Sequence, residues 1–213
     1  MNRNSVHSCP SCNTLHTQVL EETTLLACKN CGEIVFQNIV GYEKPMPSKV
    51  PEDWSFVKVG SSGLFQKKTF TIIGRIRLQL RNEYKNFWCA EVENGKSQWI
   101  MESFGSFSVL NPPWHTYTKD ASKLRAGQSI EVATGLKYKG EYVERCEGIS
   151  YEGEIGAWKL FTPGFFLIQA SRNDRNTTIF TIEKKENVEY LTGSIVLMEE
   201  LNLQNIVEWN DWK

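Results

Sequence analysis

No apolar run in this 213-residue chain approaches the roughly 20 residues of a membrane-spanning helix; FFLI and SIVLM are typical of its longest. The start, MNRNSVHSCPSC, lacks the apolar core of a secretory signal, so a cytoplasmic protein without membrane insertion is expected. Net charge is scarce as well: 24 Lys and Arg against 25 Asp and Glu give a formal charge of −1, too little to draw the chain to nucleic acid or an anionic membrane. Histidine, the usual proton shuttle, occurs only three times. Neither a G-x-x-x-x-G-K-[ST] phosphate loop nor a G-x-G-x-x-G after a strand is present, and H-E-x-x-H and G-x-S-x-G are missing too. Helical signals are few. The segment after Met198, with Leu201 and Leu203 to Ile206, and DASKLRA at 120 to 126 each suit a short helix or a turn or two, and neither can organise a fold.

Six cysteines are present, and four of them are spaced with purpose. Cys9, Cys12, Cys28 and Cys31 form C-x2-C, fifteen residues, then C-x2-C, which is a zinc spacing. Two residues between thiols let one tight turn aim both sulfurs at a tetrahedral ion, and two such turns complete a four-sulfur site. Pro10 sets the first turn and Gly32 follows the second. HTQVL, TTLLA and EIVF read as three short strands, the layout of a zinc ribbon. So small a module buries too little apolar surface to hold itself together, so one structural zinc ion is expected as part of its fold. His7 and His16 read as bystanders, and Cys89 and Cys146 as buried small side chains.

The rest of the composition favours sheet, with Phe, Trp, Tyr, Val, Ile and Thr recurring in short segments punctuated by Gly and Asn. Pro45, Pro47 and Pro51 in GYEKPMPSKVPEDW read as a semi-rigid linker that holds ribbon and body apart. The body carries a faint duplication: SSGLFQKKTFTI aligns without a gap on ATGLKYKGEYVE, and GSFSVL echoes GSIVL. The expected organisation is therefore a ribbon at 1–40, a linker at 41–53, and two antiparallel β units, barrel- or sandwich-like, at 54–112 and 113–213. In the first unit Asn94-Gly95 predicts a two-residue hairpin turn pairing Glu93 with Lys96 and Ala90 with Trp99, with Trp88, Ala90, Val92, Trp99 and Met101 on one face. In the second, TIFTIEKKENVEYLTG forms the corresponding hairpin with a longer turn. YEGEIGAWKLFTPGFF is an insertion whose Trp158, Phe161, Phe165 and Phe166 either fill core or line a pocket, core being the simpler reading.

KVGSSGLFQKKTFTIIGRIRL, the Trp-bearing hairpin after it, GEIGAW and EYLTGSIVLMEELN resemble the bacterial family called domain of unknown function 4178, over roughly Asp53 to Asn205. The resemblance implies a mostly β body, sometimes preceded by a zinc ribbon, with no established activity; similar proteins tend to be encoded near envelope-stress and polyamine-synthesis genes. Family members often carry an Asp-Gly type turn where this sequence reads Lys67-Lys68.

In IGRIRLQLR, Ile76, Leu78 and Leu80 alternate with Arg75, Arg77, Gln79 and Arg81, the period of a strand with one dry and one wet face. Arginines two apart on such a face stand roughly 7 Å apart, near the spacing of phosphates along a strand. The first expectation is a solvated face; the second is a partner-binding face of Arg75, Arg77, Arg81 and, on the insertion, Trp158; an intermediate reading has the arginines meeting the acidic stretch 141 to 154. Glu144, Glu147, Glu152, Glu154 and His115, placed in a loop joining the halves, are the acid-base groups an enzyme would use. The leading reading is a non-enzymatic adaptor that binds protein partners, with nucleic-acid binding through the ribbon and the basic strand as first alternative and an enzyme of unknown class as second.

Overall fold

A computed structural model of the chain describes residues 4–38, 49–158, 163–184 and 187–208. The N-terminal module pairs β1 (Val6–Ser8) with β2 (Leu15–Thr17) and β3 (Leu25–Ala27) with β4 (Ile34–Gln37). Two five-stranded meanders follow. The first comprises β5 (Ser62–Phe65), β6 (Lys68–Leu80), β7 (Tyr84–Val92), β8 (Lys96–Ser103) and β9 (Ser106–Thr116), and the second β10 (Ser129–Ala133), β11 (Leu136–Ile155), β12 (Phe166–Ser171), β13 (Asn176–Lys184) and β14 (Asn187–Val196). The expected short helices are single 3-10 turns at Ala121–Lys123 and Met198–Leu201, and the described residues contain no α-helix.

Antiparallel pairing of β14 with β9 joins the meanders, and pairing of β11 with β6 closes them into a ring of eight strands, β6-β7-β8-β9-β14-β13-β12-β11. The 20-residue β11 makes this possible. Its first half lies between β10 and β12, and its second half between β6 and β3. It passes from one set of neighbours to the other between Arg145 and Cys146, and where the β6 pairing gives way to β3, Gly153 stands opposite both Gly74 and Ala27. Gly153 has φ +71°, and a Cβ on either glycine would lie 2.1–2.2 Å from a carbonyl oxygen of the other strand, so only glycine lets the strands approach here.

Ring closure gives one interior instead of the two expected barrel- or sandwich-like units. Leu78, Phe87, Trp99, Leu110, Leu167, Ile179 and Leu191 point into it. Each half also buries its outer face. Trp88, Ile100 and Phe107 pack under Val57 and Leu201 on one side, and Ile168, Phe180 and Val188 under Leu124 and Ile130 on the other. The expected boundary at 112/113 falls inside β9, and His115 lies on that strand opposite Tyr190 rather than in a joining loop. The hairpin through β13 and β14 is present, but Lys184 pairs with Asn187, so only residues 185 and 186, which lie outside the described residues, separate the strands in place of the expected longer turn. The ungapped repeat does not superpose strands: Gly63 is inside β5, whereas Gly135 turns between β10 and β11.

Burial on both faces accounts for a β7–β8 register that differs from the expected one. The β7–β8 turn holds three residues, Glu93–Gly95, with Gly95 at φ 71°, and pairs Val92 with Lys96 and Cys89 with Trp99. Trp88 and Ala90 therefore face outward under the Val57 strap, while Phe87, Cys89, Trp99 and Met101 face the ring interior. With apolar residues on both faces, alternation carries no register information.

The β5–β6 turn is Gln66-Lys67, one residue earlier than Lys67-Lys68, and both residues are left-handed, at φ 49° and 66°. Side chains with a Cβ disfavour that region, which Asn and Gly adopt readily. Replacing Gln66-Lys67 by Asn-Gly is expected to stabilise the protein by about 1 kcal/mol, read as a higher urea midpoint at unchanged slope; an unchanged or lower midpoint contradicts this turn geometry.

Candidate metal centre

Both cysteine pairs sit on turns of one design. The Asn13 amide donates to the Cys9 carbonyl at 3.0 Å and the Gly32 amide to the Cys28 carbonyl at 2.8 Å, with Asn13 and Gly32 both left-handed at φ 58° and 76°. Each turn brings two sulfurs together, and the β1–β2 and β3–β4 hairpins bring the turns together. All four Sγ atoms lie within 4.8 Å of one another, with Cys9 to Cys31 at 3.6 Å and Cys12 to Cys28 at 3.5 Å. A tetrahedron of thiolates about 2.3 Å from a central zinc has edges of about 3.8 Å, so the cluster fits a four-coordinate metal ion. None of the four is in a disulfide.

The thiols' acidities bear on how the cluster could hold a cation. The Thr14 hydroxyl and amide, with the Asn30 side chain, bring Cys12 down to about 6. At Cys31 the Glu33 amide pulls the same way, but burial and the neighbouring thiols outweigh it and push the value up to about 12. Four crowded sulfurs cannot all ionise without a compensating charge, which a bound divalent ion would supply. His7 and His16 are cross-strand partners on β1 and β2, outside the cluster, and burial lowers the His16 pKa.

The Pro-rich segment does not hold the ribbon apart. Its residues 41–48 lie outside the described residues, but β3 pairs with the end of β11, Leu26 opposite Glu154, so the ribbon's second hairpin extends the body sheet. Leu20, Leu25, Ala27 and Ile34 belong to the ring's interior core. Glu154, 3% exposed, accepts from the Val19 amide at 2.8 Å, the Leu20 amide at 2.9 Å and the Thr23 hydroxyl at 2.6 Å. This carboxylate latches the ribbon to the barrel. No spacing singled it out from its neighbours in the acidic stretch.

The arginine row is not a wet face. Arg75 donates to Asp53 at 3.0 Å and to Glu152 at 2.8 and 3.1 Å, with its guanidinium 4.8 Å from the Trp88 ring centroid. Arg77, 6% exposed, donates to the Pro51 carbonyl at 2.7 Å and to Asp53 at 3.2 Å, and lies 3.8 Å over Tyr84. Only Arg81, just past the end of β6, is exposed. The strap 51–57 crosses this face and supplies the counter-charge, because an extended Pro-flanked segment beside a row of guanidinium groups offers its carboxylate and carbonyl to them. Of the expectations for this row, the internal contact with the acidic stretch is met at Glu152.

Beneath the strap, Glu102 accepts from Ser55 at 2.7 and 2.9 Å, from the Trp88 indole at 2.8 Å and from Asn86 at 3.3 Å. A lone carboxylate in the apolar run QWIMESF was its sequence signal. The acid-base candidates are dispersed: Glu152 pairs with Arg75, Glu154 is the latch, Glu144 contacts Asn82, Glu147 is exposed, and His115 lies against Tyr190. Trp158 is core, its ring 4.1 Å from Trp99, 5.2 Å from Phe87 and 5.2 Å from Trp114. Phe165 is buried and Phe166 partly exposed, while Phe161 lies outside the described residues. Cys89 and Cys146 are buried, and loss of hydration pushes both thiols up to about 12.

No family model, curated protein or solved structure matches this chain. Among the described residues no helix is long and apolar enough to cross a membrane.

Three outcomes test this geometry. Native mass spectrometry of reduced protein is expected to show one bound metal ion, absent from Cys9→Ser with Cys28→Ser. Because the ribbon shares the ring's core, that variant and chelation should each lower the melting temperature of the whole molecule in one transition; a barrel that melts unchanged contradicts the shared core. Burial raises the Glu102 pKa against the lowering bonds from Ser55, Trp88 and Asn86. Its stabilising contribution is thus fully present below the unfolded-chain value of about 4.3 and is lost as pH rises through the higher folded value. Calorimetry should show wild type losing stability relative to Glu102→Gln across that window; parallel pH profiles would refute the assignment.

Proposed function

We propose that the chain is a non-enzymatic binding module, an adaptor of a bacterial cytoplasm in which a zinc-clasped ribbon and a β barrel each present a surface to protein partners. The observation that carries this reading is the ribbon's first hairpin. It pairs only within itself, outside the large sheet, and places Val6 and Leu15, 61% and 66% exposed, on the face opposite His7 and His16. Exposed apolar side chains on a hairpin held rigid by a metal clasp suit protein docking. Zinc is the ion we assign, because four thiolates at tetrahedral spacing fill its shell. A filled shell leaves no position for an activated water, and the dispersed carboxylates assemble no acid-base pair, which supports a binding rather than a catalytic role.

Two meanders with the same order of short, long and intermediate strands support descent from a duplicated unit, and the mostly β body behind a cysteine ribbon is what the resemblance to the domain of unknown function 4178 family implies. Nucleic-acid binding is the weaker alternative, since Arg75 and Arg77 already hold Asp53 and Glu152. The test compares affinity capture from the native cell by wild type and by Val6→Glu with Leu15→Glu, at equal metal content and melting temperature. A partner retained by wild type and lost by the variant is expected; identical captured sets would reject docking through this hairpin.

A further inference from the structure

The two ends of the barrel differ. The ribbon and the Trp99–Trp158 pair stopper one end. The opposite end is open, and a cavity of about 470 Å³ descends between the β6–β7 and β8–β9 turns and β11. Its inner wall is Met101, Ser108, Ile195 and the stem of Lys85, and its rim carries Glu83, Glu141, Glu144 and the 79%-exposed Phe104. Barrel mouths are common ligand sites, and most small barrels fill theirs with apolar side chains. This one instead places a lysine, 2% exposed, in the wall.

The Lys85 ammonium is already satisfied. It donates to Ser103 at 2.8 Å, meets Glu83 at 3.2 Å, and lies 4.5 Å over the Tyr142 ring. Burial lowers its pKa, and Glu83, Glu144 and Glu141 act in the opposite direction. Three rim carboxylates face one ammonium, a sum of two negative charges that the neutral donors Ser171 on Glu141 and Asn82 on Glu144 leave in place, above a floor where Met101 and Ile195 lie among Ser108 and Gln169. Beside the cavity the Tyr142 hydroxyl oxygen is enclosed and meets no hydrogen-bond partner among the described residues.

We propose that the barrel mouth binds a small monocationic amine, its ammonium head held by Glu141 and Glu144 at the rim and its apolar tail lying against Met101 and Ile195. Charge complementarity sets the sign of the head group. Lys85 sets the number of charges, because a second ammonium at the foot of the tail would meet the like-charged Lys85 in the wall. The site is separate from the ribbon surface and stands without the adaptor reading.

The test titrates n-butylammonium into the full-length metal-loaded protein and follows backbone amide shifts, with n-butyrate and 1,4-butanediammonium at matched ionic strength as comparators. Saturable shifts confined to the amides around Lys85, Ser103 to Ser108 and Tyr142 to Glu144 are expected, with affinity about tenfold or more weaker in Glu141→Gln with Glu144→Gln. Ser106→Lys, which adds a cation at the exposed first residue of β9, serves as the second variant and should weaken binding similarly. The proposal is overturned if no saturable shift occurs, if butyrate or the diamine binds as tightly as the monoamine, or if the folded variants bind undiminished.

Discussion

Antiparallel pairing between β6 and β11 is the contact on which this architecture rests. Without it the two meanders form an open sheet whose strands expose an apolar inner face; with it they enclose a single interior. The contact depends on Gly74 and Gly153 at its tightest point, where a methyl group on either would meet the opposite backbone. From that crossing β11 continues past the ring and offers its last residues to β3, so the strand that closes the barrel also seats the ribbon.

Closure also accounts for the outer layers. A barrel strand with an apolar face inside and another outside needs a second cover, supplied by the 51–57 strap with the C-terminal 3-10 turn on one half and by β10 with Leu124 on the other. The strap is fixed less by apolar contact than by charge. Asp53 lies between Arg75 and Arg77, and Glu102 gathers Ser55, Trp88 and Asn86 beneath it. A buried carboxylate with several donors costs little only while all of them stay in place, so the strap is held as a unit.

Much of this was legible in the residues. The cysteine spacing located the thiol cluster because knuckle geometry is local, set by residues a few positions apart. Sheet content and most strands followed from β-branched and aromatic runs. Less was legible where distant segments meet. Alternation placed Arg75 and Arg77 on the face opposite Ile76 and Leu78, as observed, but a period of two says only that a face is distinct, not that a strap covers it. In β7 and β8 both faces are apolar, and a three-residue turn moved the register by one, exchanging Trp88 for Phe87 in the interior. Glu154 had the same local surroundings as Glu147, and only the arrival of the Val19–Thr23 segment distinguishes them. The barrel mouth was invisible for the same reason, its lining coming from both meanders.

The pairing of Ala27 with Gly153 joins residues far apart along the chain. During synthesis the cysteine knuckles leave the ribosome before β11, and the strand that accepts β3 is made only after the first meander is complete. In that interval Leu25, Ala27 and Ile34 have no core to enter, so the nascent ribbon keeps a greasy underside. Its docking waits for the same late strand that seals the ring, which makes the order of translation part of how the molecule assembles.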